Sequence, residues 1–282
     1  MTTQDNPQTT PQQPAPASSK TLRTVLLVVG SIVLALILIT TVARVAFSLN
    51  REDTSGTFTV EEQFDEIVVR TSAADVEIEY AAIDHAQIRF DQAGTGLRLD
   101  RNVSGGVLTV TVDHPGWGWW GGGDWWGGGD NANLQLTLPE EMEEDAVALG
   151  IDSSAGDLRV SGGFGSVNVE STAGNVRMAG VAADLEITTT AGNVDLDNFS
   201  VTGTFRSEST AGNGTFEFRT LPDSVDVQAT AGDVEVILPS GRYRIETDTA
   251  AGEVRQNVSS DQNADRVYRF ETTAGNIEIN EG

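Results

Sequence analysis

Apolar and polar positions alternate with period two through the second half of the chain. Val176 and Met178, Val194 and Leu196, Phe216 and Phe218, Val234 and Val236, and Ile277 and Ile279 are each separated by a single Arg, Asp or Glu. A matching alternation runs ahead of these pairs, in Val167 and Val169, Leu185 and Ile187, Val225 and Val227, and Tyr243 and Ile245. Side chains of a strand point alternately to its two faces, so this period predicts short strands with one buried face. Between the two strands of each unit stands a three-residue signature, Ala-Gly followed by Asn, Asp or Glu. Its glycines are Gly156, Gly174, Gly192, Gly212, Gly232, Gly252 and Gly275, spaced 18, 18, 20, 20, 20 and 23 residues apart.

Regular spacing of identical turns marks a stacked architecture in which each unit covers the apolar face of its neighbour. Second turns, at Ser161-Gly162-Gly163, Val201-Thr202-Gly203, Pro222-Asp223-Ser224 and Pro239-Ser240-Gly241, return the chain to the next unit. The expectation is an all-β fold, a two-sheet β-solenoid with one coil per repeat. An antiparallel β meander or sandwich is the alternative, because Gly-Asn can also close a hairpin. Ile67 to Tyr80 reads as an opening coil with Ala74 where the turn glycine would sit, and Gln87–Phe90, Gly96–Leu99, Val107–Val112 and Leu134–Leu138 read as further strands.

Ahead of the β region, residues 1–21 are rich in Thr, Gln, Pro and Ser without apolar periodicity, which predicts a disordered tail. Val25 to Ala43 is uncharged over 19 residues, nearly the length that spans a bilayer core. Residues 22–43 are therefore expected to form a single transmembrane helix that takes the lipid bilayer as a partner. Residues 44–56 then serve as a juxtamembrane linker to a β domain at 57–282, with the N-terminus cytoplasmic and the C-terminal domain extracytoplasmic. A cleavable signal peptide is the competing reading of the same run.

The chain carries 17 Lys and Arg against 42 Asp and Glu, a net charge of −25. Such a surface repels nucleic-acid phosphates, so no nucleic acid is expected as a partner. With no cysteine there are no disulfides and no thiolate metal sites. No Gly-x-Ser-x-Gly elbow, phosphate loop or zinc motif is present, and His85 and His114 stand apart. The expectation is no enzyme, no cofactor and no metal centre.

At this point the chain resembles the bacterial putative-adhesin family, β-strand-repeat domains of unknown function in cell-envelope proteins. The resemblance rests on the Ser/Thr-Ala-Gly-Asn/Asp-apolar-x-apolar repeats, the strand Leu134 to Pro139 and the opening coil Phe64 to Tyr80, and covers residues 57–282. It implies a β-repeat architecture at the envelope and assigns no catalytic residues.

Two features could carry binding. Asp157, Asn175, Asn193, Asn213, Asp233 and Asn276, with Glu253 at the same position of its repeat, would stack as a side-chain ladder, with calcium binding as the sharper alternative. The Gly/Trp insert at 116–129 holds Trp117, Trp119, Trp120, Trp125 and Trp126, all the tryptophans of the chain. These rings are either presented to a partner or interface, or folded back over the β domain. The functional expectation is a non-catalytic binding, adhesion or scaffolding module with an envelope polymer or a membrane protein as partner. The alternatives are an envelope-sensing regulatory protein and a polysaccharide-acting enzyme.

Overall fold

The computed structural model describes residues 55–114 and 132–282. The chain divides into residues 1–50 and 51–282, and all described residues belong to the second unit. The expected tail, the expected helix at 22–43, the linker up to residue 54 and the tryptophan insert lie outside the described residues. No helix among the described residues is long and apolar enough to cross a membrane.

The described chain is all-β, an open sheet of 19 strands with one short 3-10 turn at Glu140–Glu143. In the repeats every pairing is parallel, and the register is regular apart from shifts after Ala179 and after Leu196. Val176 lies between Leu158 and Val194, and Leu185 between Val167 and Phe205. Parallel ladders are not those of a meander. Antiparallel pairing is confined to the flank before the repeats, where Gly56–Val60 joins Ala86–Asp91, Ala86–Asp91 joins Ala132–Pro139, and Arg98–Ser104 joins Val107–Asp113.

Each coil has a strand leading into its Ala-Gly turn and a strand leaving it, and these stack into two rows. The period-two apolar positions fill the space between the rows: Val167, Val169, Val176, Met178, Leu185, Ile187, Val194, Leu196, Phe216, Phe218, Ile277 and Ile279 are all buried. One second turn differs from expectation. Ser161-Gly162-Gly163 sits inside the continuous strand Leu158–Ala173, and its counterpart Gly180 inside Val176–Ala191. At these points the chain bends from one row to the other without breaking its ladder, since Gly162 still pairs with Gly180 and Gly163 with Val181.

The order of coils in space departs from their order in sequence. Val267–Ala274 lies between Ser224–Ala231 and Arg244–Ala251, and Ile277–Glu281 lies between Val234–Leu238 and Val254–Gln256. The coil of residues 267–281 is thus inserted between two coils that precede it. Inward positions explain the order. The inserted coil offers Tyr268, Phe270, Ile277 and Ile279, all fully buried. The displaced coil matches Tyr268 with the buried Ile245, but it offers Thr247 and Gln256 opposite Phe270 and Ile279, and its Val254 stays exposed. A terminal repeat needs a polar outer face, and only residues 244–256 supply one.

Surface charge alone does not decide the matter. On the leading row, Glu186, Arg206, Asp226, Arg269 and Glu246 alternate in sign across successive strands. On the other row the same order sets Glu235 beside Glu278, where sequential order would have interposed Arg255. Partly exposed ion pairs contribute about 0–1 kcal/mol each, whereas burying a large apolar side chain contributes about 1.5–3 kcal/mol. Burial wins. Tyr268 also donates its hydroxyl to Pro222 O at 2.7 Å and stacks on Tyr243 at 5.3 Å, and burial raises its pKa well above the usual phenol value.

Residues 257–266 connect the two exchanged coils. Asp261 N–H donates to Tyr243 O at 2.9 Å, and the Asp261 carboxylate accepts from the Asn263 N–H at 2.9 Å and from Arg242 Nη2 at 2.9 Å. The Asn263 backbone bond first, and then the Arg242 bond, hold this carboxyl below its ordinary pKa. A lowered folded pKa stabilises the folded state above the unfolded pKa, and that contribution disappears as pH falls through the folded value. Hydrogen-exchange protection in 257–266, taken relative to the intrinsic rate at each pH, should therefore fall below about pH 4, and Asp261→Asn should remove most of that pH dependence.

Candidate binding face

The turn edge of the stack is built from one residue type per coil. A glycine in a conformation that L side chains avoid lets adjacent turns approach closely. At Gly192, φ is +135°, and an added Cβ would stand 2.0 Å from Gly174 O. The following Asn or Asp then reaches along the stack. Asp157 Oδ1 accepts the backbone N–H of Asn175 at 2.9 Å, Asn175 Oδ1 that of Asn193 at 3.1 Å, Asn193 Oδ1 that of Asn213 at 2.9 Å, and Asn213 Oδ1 that of Asp233 at 2.9 Å. The file continues across the inserted coil. Asp233 Oδ1 accepts from Asn276 N–H at 2.7 Å, and Asn276 Oδ1 accepts from Glu253 N–H at 3.0 Å.

These bonds differ in kind from a side-chain amide ladder. Side chains bond directly to each other at two steps, where Asn175 Nδ2 and Asn276 Nδ2 each donate at 3.1 Å to the Asp157 and Asp233 carboxylates. What each turn needs is an acceptor of the right length, so Asn and Asp interchange. Each such bond contributes about 1 kcal/mol, somewhat more where the acceptor is charged. Glu253 occupies the end of the file, where no further N–H calls for an acceptor, and it pairs with Arg255 at 2.8 Å instead. Sequence reasoning missed Asp75, whose Oδ1 accepts the Asp157 N–H at 2.8 Å. Its signal was present, since Ala73-Ala74-Asp75 keeps the acidic residue of the motif while losing the glycine.

Inward from this edge lies a row of small hydroxyls, Thr71, Ser153, Ser171, Thr189 and Ser209. Ala229 interrupts the row, and Thr272 and Thr249 resume it beyond, donating to Gly232 O at 3.3 Å and to Gly275 O at 3.1 Å.

Outward, the leading strands form a trough of about 390 Å³ running across five coils. One wall carries Thr188, Glu208, Gln228, Glu271 and Asp248 in register, and the other carries Thr190, Thr210, Thr230, Thr273 and Ala250. Arg206 borders it, paired with Glu208, with Asp226 at 3.2 Å and with Glu186 at 3.8 Å. Partial burial works against the guanidinium charge, but Glu208, Asp226 and Glu186 outweigh it and raise the Arg206 pKa. The trough is hydroxylic, rich in acceptors and net acidic. It suits hydrogen bonding to a polar chain laid along the stack, where strand neighbours recur about every 4.8 Å, and it disfavours anionic polymers.

Large apolar side chains exposed among the described residues are two separated valines, Val181 and Val254. Among the described residues there is also no group of three His, Asp or Glu arranged to hold a metal ion. The acidic run Glu140 to Asp145 lies on the short 3-10 turn and the residues after it. The five tryptophans lie outside the described residues, but the strands on either side of them do not. Val107–Asp113 pairs with Glu66–Thr71, and Ala132–Pro139 pairs with Ala74–Ala81. The chain therefore departs and returns where a coil of this stack would carry its turn.

The model of one protein family, described as Toastrack DUF4097, matches residues 64–201 and again residues 149–280. Among solved structures, a putative adhesin of Bacteroides fragilis NCTC 9343 gives a TM-score of 0.43 at 12% identity, covering 82% of this chain and 98% of that one. A putative cell adhesion protein of Clostridium sporogenes ATCC 15579 gives 0.37 at 12% identity, covering 82% and 100%. A putative lipid binding protein of Parabacteroides distasonis ATCC 8503 gives 0.38 at 16% identity, covering 81% and 97%. No curated protein matches the sequence.

Proposed function

Because the chain belongs to the Toastrack DUF4097 family, we propose that it is a non-catalytic binding module of the bacterial cell envelope, a β-solenoid carried by a membrane anchor. The observation that supports this most directly is the trough and turn edge, which present polar groups coil after coil, with threonine at one wall position in four of five coils. A repeated surface suits a polymer or an extended partner. The anchor rests on the uncharged run from Val25 to Ala43, which would leave the β domain outside the cytoplasm. Trp117, Trp119, Trp120, Trp125 and Trp126 fit the same role, since indoles bind apolar faces of sugars and settle at headgroup level.

Co-sedimentation of residues 57–282 with purified cell-wall material and with lipid vesicles tests the reading. The domain should sediment with the wall. Replacing all five tryptophans by Ser should abolish that binding while leaving the melting temperature nearly unchanged. If the parent domain stays in the supernatant with both materials, the binding-module reading fails. If the five-fold variant unfolds, the rings belong to the fold and not to a binding element.

A further inference from the structure

One repeat departs from the others immediately after its turn. Position 214 pairs with Val194 on one side and Val234 on the other, yet it holds glycine. The cause is Phe216, a fully buried ring where the neighbouring coils carry Leu196 and Val236. A Cβ at 214 would meet two atoms of that ring at 2.7 Å. Core packing thus removes the side chain at 214 and leaves the exposed Asn213 followed by glycine. Asn175 and Asn193 are followed by valine, and Asn276 by isoleucine.

That dipeptide is chemically reactive. With no side chain in the way, the backbone nitrogen of Gly214 can attack Cγ of Asn213. The C–N bond to the side-chain amide breaks, ammonia leaves with the proton from the attacking nitrogen, and a five-membered succinimide forms. Water then opens the ring at either carbonyl to give Asp or isoaspartate. No oxidant, metal or second protein is required.

In the fold both reacting groups are bonded to the next coil. Gly214 N–H donates to Asp233 O at 2.9 Å, and Asn213 Oδ1 accepts the Asp233 N–H at 2.9 Å. We infer that Asn213 is a self-deamidation site gated by docking of the 224–238 coil. While that coil is seated, the nucleophile and the carbonyl carbon are held apart by two hydrogen bonds. Local opening of the coil frees both. The two products then diverge. Asp at 213 keeps the acceptor that the file requires, as Asp157 and Asp233 already do at the equivalent positions. Isoaspartate adds a backbone carbon within the turn, displaces the ladder and prevents the 224–238 coil from reseating. The site therefore records how often this part of the stack has opened.

Peptide mapping by mass spectrometry, after incubation of the full chain at physiological pH both folded and in guanidinium chloride, tests the inference. Asn213 should convert at least about tenfold faster when unfolded than when folded, with Asn175 and Asn193 retaining their amides over the same period. Asn213→Asp should keep the parent melting temperature, and Asn213→Ala, which removes the acceptor for Asp233 N–H, should lower it. Equal rates at Asn213 in the two states would overturn the gating. Conversion of Asn193 as fast as Asn213 in denaturant would overturn the role of Gly214. A loss of stability in Asn213→Asp as large as in Asn213→Ala would show that the acid product does not fit the file.

Discussion

Deleting residues 267–282 should cost the stack two coils, the one removed and the one at 244–256, because residues 244–256 have no ladder to any other coil. Arg244–Ala251 pairs with Val267–Ala274, and Val254–Gln256 pairs with Ile277–Glu281. The deletion removes Tyr268, Phe270, Ile277 and Ile279 from the core, each worth about 1.5–3 kcal/mol of burial. It also leaves Val225, Val227, Val234 and Val236 at an uncovered edge. Direct docking of 244–256 onto 224–238 would set Glu246 beside Asp226 and lay Gln256 over Val236, a poor substitute. Hydrogen exchange by mass spectrometry should show loss of protection throughout 244–256, and the melting temperature should fall steeply. Retained protection there would mean that the two coils can exchange places and that inward polarity does not set their order.

Gly192→Val should destabilise the domain by about 3 kcal/mol or more in urea titration. Two costs add. Valine is strained at a φ of +135°, and its Cβ would stand 2.0 Å from the Gly174 carbonyl oxygen, which cannot move without opening the neighbouring turn. The turn above is affected as well, since Gly212 packs on Gly192 O in the same way. Thr190→Val, two residues away on the exposed wall of the trough, should change stability by no more than about 0.5 kcal/mol. A cost at Thr190 with none at Gly192 would place the constraint in the threonine wall of the trough rather than in the turn.

The turns and core positions were legible because they repeat. Ala-Gly followed by Asn, Asp or Glu recurs seven times, with apolar pairs beside most copies, so each instance strengthens the reading of the others. The coil exchange was not read, because glycine spacings of 20 and 23 residues look like two more units in sequence. Spacing reports how much chain a coil uses, not which neighbour it meets. The information lay in particular side chains, Thr247 and Gln256 against Phe270 and Ile279, and it becomes decisive only once one asks which coil can face solvent. The bonding of the turn row was hidden for a different reason. Sequence shows which side chains line up but not that their partners are backbone N–H groups, and so the row reads as a side-chain ladder or a calcium site rather than as a shared requirement for one acceptor. The trough is a property of five strands in register, and no single segment announces it.

The inserted coil also sets a schedule for biosynthesis. A stack that followed sequence order could close one coil at a time as each emerged during synthesis and export, every new strand finding its seat already formed. Here residues 244–256 emerge with no seat available. They must wait until the chain has been translated through Glu281, on the order of a few seconds at typical elongation rates. During that interval the edge of the 224–238 coil is open to any strand that passes, including one from a neighbouring nascent chain. The polar character of 244–256, Thr247 and Gln256 above all, keeps this segment from taking the wrong place in the meantime.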